Sequence, residues 1–385
     1  MAHQTMLNTI MYPSWTLETC STFFLVLLAL LFTSGNLAIR LIRKRDRLGS
    51  HGEMDYINQF QLPSNAQANS PLFDGTIPGE IRDRIFAFTL SCFESQKAWD
   101  RDSSYVRPEY AAPLVADTAI LQTCQRAYVE NWFRPWISAT HTFYLAWEGR
   151  RPDKVTTVEK FEPTLELLFA THGETEISHV RVFAQLCSLE NGRELSRILG
   201  MKNFFPQKIT ITIRHHDWWS WEEDARLHIG SQWVRDCRFP DTVREICVEL
   251  ESLQRKKDQI DWIAGEMAQG WQFARCDGTK LSAKPQDVRV SRWSGSSTWE
   301  GHRWLRDETK PGVNEYYVKT ITWKPDQSMT ERPVPKSLRA PNSFGILRHR
   351  NPSMPVSRIR GAGVPEGLSA EETEKLVRRW EGANR

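Results

Sequence analysis

Lys208-Ile209-Thr210-Ile211-Thr212-Ile213-Arg214 is the stretch that decides the fold. Polar and apolar side chains alternate at every position, and successive residues of a strand point to opposite faces, so the segment reads as a β-strand with one apolar and one polar side. Runs at His179–Leu186, Val243–Leu250 and Tyr316–Trp323 read as further strands. So does Thr142-Phe143-Tyr144-Leu145-Ala146-Trp147, which Gly149 and Pro152 stop. Helical periods at Thr164–Ala170, Glu194–Leu199 and Leu253–Met267 lie between them. Strands alternating with helices favour right-handed crossovers, so an α+β fold is expected over residues 71–325, with a mixed sheet and interspersed helices. A spacing of roughly 30 residues between strands also suits a leucine-rich solenoid, but the dense leucine consensus of such repeats is missing.

Upstream, Phe73-Asp74-Gly75-Thr76-Ile77-Pro78-Gly79-Glu80-Ile81 opens a helix, with proline and glutamate in its first turn and Ile77, Ile81, Ile85 and Phe88 on one face. A second helix, announced by Asp117-Thr118, places Leu121, Cys124 and Tyr128 on one face.

From Thr19 to Ile39 no side chain is charged, and Phe23–Phe32 is wholly apolar. At about 1.5 Å per residue this stretch is long enough for a bilayer core, so residues 19–42 are expected to form a single transmembrane helix. A cleaved signal is the rival reading, but residues 1–18 carry no Lys or Arg, and the positive cluster Arg40, Arg43, Lys44, Arg45 and Arg47 follows the apolar run instead. The positive-inside rule then leaves residues 1–18 as a short tail across the membrane and the bulk of the chain in the cytosol, beyond a basic and flexible linker over 43–70. Seven cysteines without C-x-x-C spacing suit reduced thiols rather than a disulfide framework. At the other end, residues 326–366 are basic and proline-rich and are expected to be disordered, with weak contact to anionic lipid possible for the basic flanks. A short helix over 367–382 follows, opened by Ser369 and Glu372 at capping-box spacing.

The net charge of +3 provides no global field for nucleic acid, which is not expected as a partner. His215-His216-Asp217-Trp218-Trp219-Ser220-Trp221-Glu222-Glu223-Asp224 crowds imidazoles and carboxylates together, but adjacent residues of a strand diverge and no second ligand cluster exists. No G-x-S-x-G, Walker loop or G-x-G-x-x-G is present. No catalytic, cofactor-binding or metal-ligating residue is therefore assigned. Trp218, Trp219 and Trp221 are read either as an aromatic loop over the core or as a recognition surface.

Ile77-Pro78-Gly79-Glu80-Ile81-Arg82-Asp83-Arg84-Ile85-Phe86, followed by Leu121-Gln122-Thr123-Cys124-Gln125-Arg126 and Thr142-Phe143-Tyr144, resembles a large group of uncharacterised fungal proteins whose opening looks like an F-box. The likeness extends over roughly residues 71–325 through Ile209–Trp219, Phe239–Val243 and Tyr316–Pro325. F-box helices dock the Skp1 adaptor of a ubiquitin ligase, so the resemblance implies a docking role for Ile77, Pro78, Ile81 and Ile85. Here Cys124-Gln125-Arg126 stands where the family has Cys-Arg. The expected function is a membrane-anchored protein-interaction or scaffold domain. The alternatives are an F-box-like adaptor recruiting a ubiquitin ligase at a membrane, and an enzyme using the His215–Asp224 region.

Overall fold

In the computed structural model, which describes residues 69–153, 155–326, 334–343 and 352–384, the alternating run at 208–214 is an inner strand of a curled seven-stranded sheet. The chain begins with helix α1 (Gly79–Thr89), the short hairpin β1 (Cys92–Glu94) and β2 (Leu114–Ala116), and helices α2 (Gln125–Asn131) and α3 (Arg134–Ser138). A repeating strand and helix pattern follows: β3 (Thr140–Leu145), α4 (Val158–His172), β4 (Ile177–Ala184), α5 (Leu186–Leu189), α6 (Arg193–Leu199) and β5 (Pro206–Ile213). After β6 (His228–Gly230) and α7 (Gln232–Asp236) come β7 (Glu245–Leu253), α8 (Lys257–Gly270), β8 (Phe273–Ala274) and β9 (Lys280–Ser296). The chain ends with β10 (Thr298–Trp299), β11 (His302–Arg303), β12 (Val313–Pro325), β13 (Ser337–Arg339), β14 (Met354–Pro355), α9 (Val356–Gly361) and α10 (Ala370–Ala383).

The sheet order is β3-β4-β5-β7-β12-β9-β8. The first four strands are parallel and the last three join antiparallel, which makes the sheet mixed. Register aligns Phe143, Val182, Ile211, Val248 and Ile321 in one row across five strands. All five are buried in one core with Phe161, Leu165 and Leu168 of α4, Leu195 and Ile198 of α6, and Ile260, Ile263 and Met267 of α8. The opposite row, Tyr144, Phe183, Thr212, Glu249 and Thr320, is mostly polar. The period of two at 208–214 thus separates a helix-covered apolar face from a polar one, and a single continuous sheet replaces the solenoid alternative.

Large aromatics close the far end of the core. Trp233 meets Trp271 edge-on at 5.5 Å, and Phe273 meets Trp323 edge-on at 5.0 Å. Two of the three indole N–H groups are satisfied: Trp323 donates to the Trp271 carbonyl at 2.9 Å, and Trp233 donates to that of Gly230 at 3.1 Å, while the buried indole N–H of Trp271 has no partner.

Two parts of the expected fold class are corrected. The transmembrane helix is not part of the observed architecture. No helix of the described residues is long and apolar enough to cross a membrane, and the longest, α4, has 15 residues and buries only one side. The stretch 19–42, on which that expectation rested, lies outside the described residues. The second correction concerns the basic tail, which was expected to be disordered. Residues 334–343 and 352–384 belong to the same compact unit as the sheet, Pro71–Arg385. β13 pairs with β6, and β14 with β11. Leu338 and Ala340 enter the main core, while Met354, Ile359 and Val377 form a separate small cluster with Leu305. Composition misleads here because a few well-placed apolar residues suffice once an existing domain offers strand edges.

Candidate functional site

The N-terminal helices form a small lobe with its own core of Phe73, Phe86, Leu90, Leu121 and Ala127. Helix α1 turns Phe86 inward, and Leu90 seals its end. On the same side, Arg82 comes within 3.9 Å of Glu130, and Asp83 pairs with Arg134. These contacts rotate the apolar period away from the lobe. Ile81 is 46% exposed, Ile85 37% and Phe88 84%, one above another at i, i+4 and i+7. Ile77 is half-buried, and Pro78, which precedes the first helical residue, is exposed. Three large apolar side chains on one face of a short helix are thus left to solvent, an arrangement that helix-in-groove recognition uses.

The tryptophan segment behaves differently. Trp218 and Trp221 are buried, so neither contributes to a surface. Trp218 donates its indole N–H to the Glu251 carbonyl at 2.8 Å, and Trp221 packs at 4.4 Å against Trp304, which stacks on Trp299. Trp219 is part-exposed, but its N–H is taken by Glu190 at 3.1 Å and its ring lies parallel to His228. Of the two readings of this stretch, the aromatic loop covering the core describes Trp218 and Trp221.

Its acids and imidazoles do not converge into a reactive group. Asp217 holds Arg214 through two oxygens, at 2.7 and 3.1 Å, and caps its backbone N–H at 3.0 Å. Asp224, at a positive φ of 57°, pairs with Arg255 at 2.7 Å and Lys256 at 2.8 Å. His215 faces Ser252 at 3.4 Å, and His216 Nε2 is 4.0 Å from Asp217, too long for a hydrogen bond. Burial, assisted by Lys256, Arg255 and Arg306, holds the His215 imidazole down to about 3, and burial beside Arg214 and Arg150 lowers that of His216. Both rings are neutral at physiological pH. Among the described residues no group of three or more His, Cys, Asp or Glu could hold a metal ion.

At the carboxyl ends of β5 and β7 a cavity of about 340 Å³ opens beside this segment, with Arg107, Arg214, His216, Glu251, Trp293 and Tyr316 in its wall. Trp293 stacks on Tyr316 at 4.2 Å and donates to Glu251 at 3.1 Å. Gly295 makes that placement possible, because a Cβ there would stand 2.5 Å from the indole ring. Burial raises the Glu251 carboxyl above the usual range. Burial also works against ionisation of the neighbouring Glu249, but Arg107 and Arg181 overcome it and lower its pKa. Arg181 bonds Glu249 at 2.8 Å, and Arg107 stands 3.4 Å from Glu249 and 3.6 Å from Glu251.

Sequence reasoning missed this cavity. Its one legible signal is Val248-Glu249-Leu250-Glu251, which places two carboxylates on the same face of an inner strand, where only a buried cation can balance them. Arg107 lies in an irregular segment with no pattern to announce it.

Comparison with family models, with curated proteins and with solved structures finds nothing that matches this chain.

Proposed function

We propose that the chain is a protein-interaction domain whose helical lobe docks a Skp1-type adaptor through the outward face of α1. The observation that carries this reading is the exposure of Ile81, Ile85 and Phe88 on one stripe, while Phe86 and Leu90 anchor the helix behind it. The F-box-like run Ile77–Phe86 supports the choice of adaptor, because the resemblance assigns docking to that helix. Burying large apolar anchors of this kind dominates interface energetics, and truncating one costs about 2 kcal/mol or more.

A pull-down with purified Skp1 tests the reading. The wild-type chain retains the adaptor, and both Ile81→Asp and Phe88→Ala lose it while melting at the wild-type temperature, since neither side chain is in the lobe core. A folded chain that retains no adaptor, or one in which both variants bind as well as wild type, removes the proposal.

A further inference from the structure

We propose that the cavity at the carboxyl ends of β5 and β7 is a binding site for a small organic carboxylate. Three polar atoms of residues in its wall have no hydrogen-bond partner: Ser104 Oγ, Arg107 Nη1 and His216 Nε2. The three residues are 9%, 8% and 9% exposed, so each is more than nine-tenths buried. Native interiors leave few such atoms unsatisfied, and three around one cavity call for a common partner. The remaining wall includes Val106, Pro108, Trp293 and Trp299, an apolar lining with a few convergent polar groups, as ligand sites have. The position, outside the carboxyl ends of parallel strands, is also where open α/β sheets receive ligands.

The chemistry of these atoms, of which Arg107 Nη1 faces Glu251 at 3.6 Å without a hydrogen bond, selects the ligand. Arg107 can only donate, and Ser104 can donate. The other groups are already occupied: Arg214 is held by Asp217, and Glu251 accepts from Trp293. Arg101, Arg107 and Arg214 line the cavity against one acid, Glu251. An acceptor-only group with two oxygens satisfies Arg107 and Ser104 together, and a planar carboxylate suits the guanidinium fork. A phosphate dianion needs more donors than Arg107, Ser104 and the single N–H of a neutral His216 can supply. The apolar body of the ligand then lies along the indole side, with His216 Nε2 available to a polar substituent.

Benzoate is the probe, titrated by calorimetry into the full chain, with benzamide as its neutral equivalent of the same shape and inorganic phosphate as the other anion. Saturable one-to-one binding of benzoate is expected, at least tenfold tighter than benzamide or phosphate. Ser104→Ala, which disturbs no ion pair, and Arg107→Lys, which keeps the charge opposite Glu249 and Glu251, should each weaken benzoate tenfold or more. Phe88→Ala should leave it unchanged, so this site and the α1 face fail or survive separately. Absence of saturable benzoate binding, equal binding of benzamide, or binding indifferent to both cavity variants would overturn the assignment.

Discussion

At the residue scale the molecule is organised around charges that are buried and matched. Arg214 is 2% exposed and Asp217 4%, so removing one partner leaves the other charged in the interior. Asp217→Ala is expected to cost about 3–5 kcal/mol in urea denaturation, and a loss below about 1 kcal/mol would show the pair to be dispensable. The imidazoles set a pH dependence of definite sign. His215 titrates near 3 in the folded state because it is buried, far below the value of an unfolded histidine. Below about pH 6.5 the unfolded chain therefore takes up protons that the folded chain refuses. Stability should fall from there toward pH 3, by up to about 1.4 kcal/mol per pH unit for each such imidazole. His215→Gln should flatten the slope in a series of thermal melts, and an unchanged slope would mean that His215 is accessible to protons. Little of this was legible beforehand. Glutamates at alternate strand positions hinted at buried charge, but the tryptophan count could not tell core from surface, because an indole serves both.

At the element scale, regular alternation was readable and edges were not. β4, β5, β7 and β12 are inner strands whose apolar faces must be covered, so their pattern survives in the sequence. β9 escaped notice because only two of its 17 residues are buried, with Pro285 inside, and its partners are visible only once β12 has placed it. For α1 the period was readable, and which side packs was not. Ile81, Ile85 and Phe88 imply a helix, but the side that packs is chosen by Phe86 and Leu90, which a count of apolar positions ranks lower. The C-terminal helix α10 is capped reciprocally by Ser369 and Glu372, as the spacing required. Its hold on the domain is tertiary. Arg303 bonds Thr373 at 3.1 Å and the Leu368 carbonyl at 2.7 Å while paired with Glu308, and Val377 is fully buried. Val377→Asp should therefore release 370–383 to rapid amide exchange and lower the melting temperature by several degrees. A tail that only decorates the surface would leave both unchanged.

At the scale of the whole molecule, one sheet carries two different faces. The apolar face is filled by α4, α6 and α8, which accounts for stability. The polar face carries Arg181, Thr212 and Glu249, with Arg107 of the irregular segment set against it, and leads at one end to the cavity beside Glu251. The helical lobe is held together by its own cluster, so α1 can present an apolar stripe without unsettling the main core. The features on which the proposals rest were hardest to read because they are defined by what is left unburied or unpaired, and sequence pattern reports what is buried. Hydrogen–deuterium exchange of the chain with and without Skp1 tests the central claim most directly. New protection confined to Gly79–Thr89 is the predicted result; no protection there, or protection only around the tryptophan loop at 218–224, would contradict it.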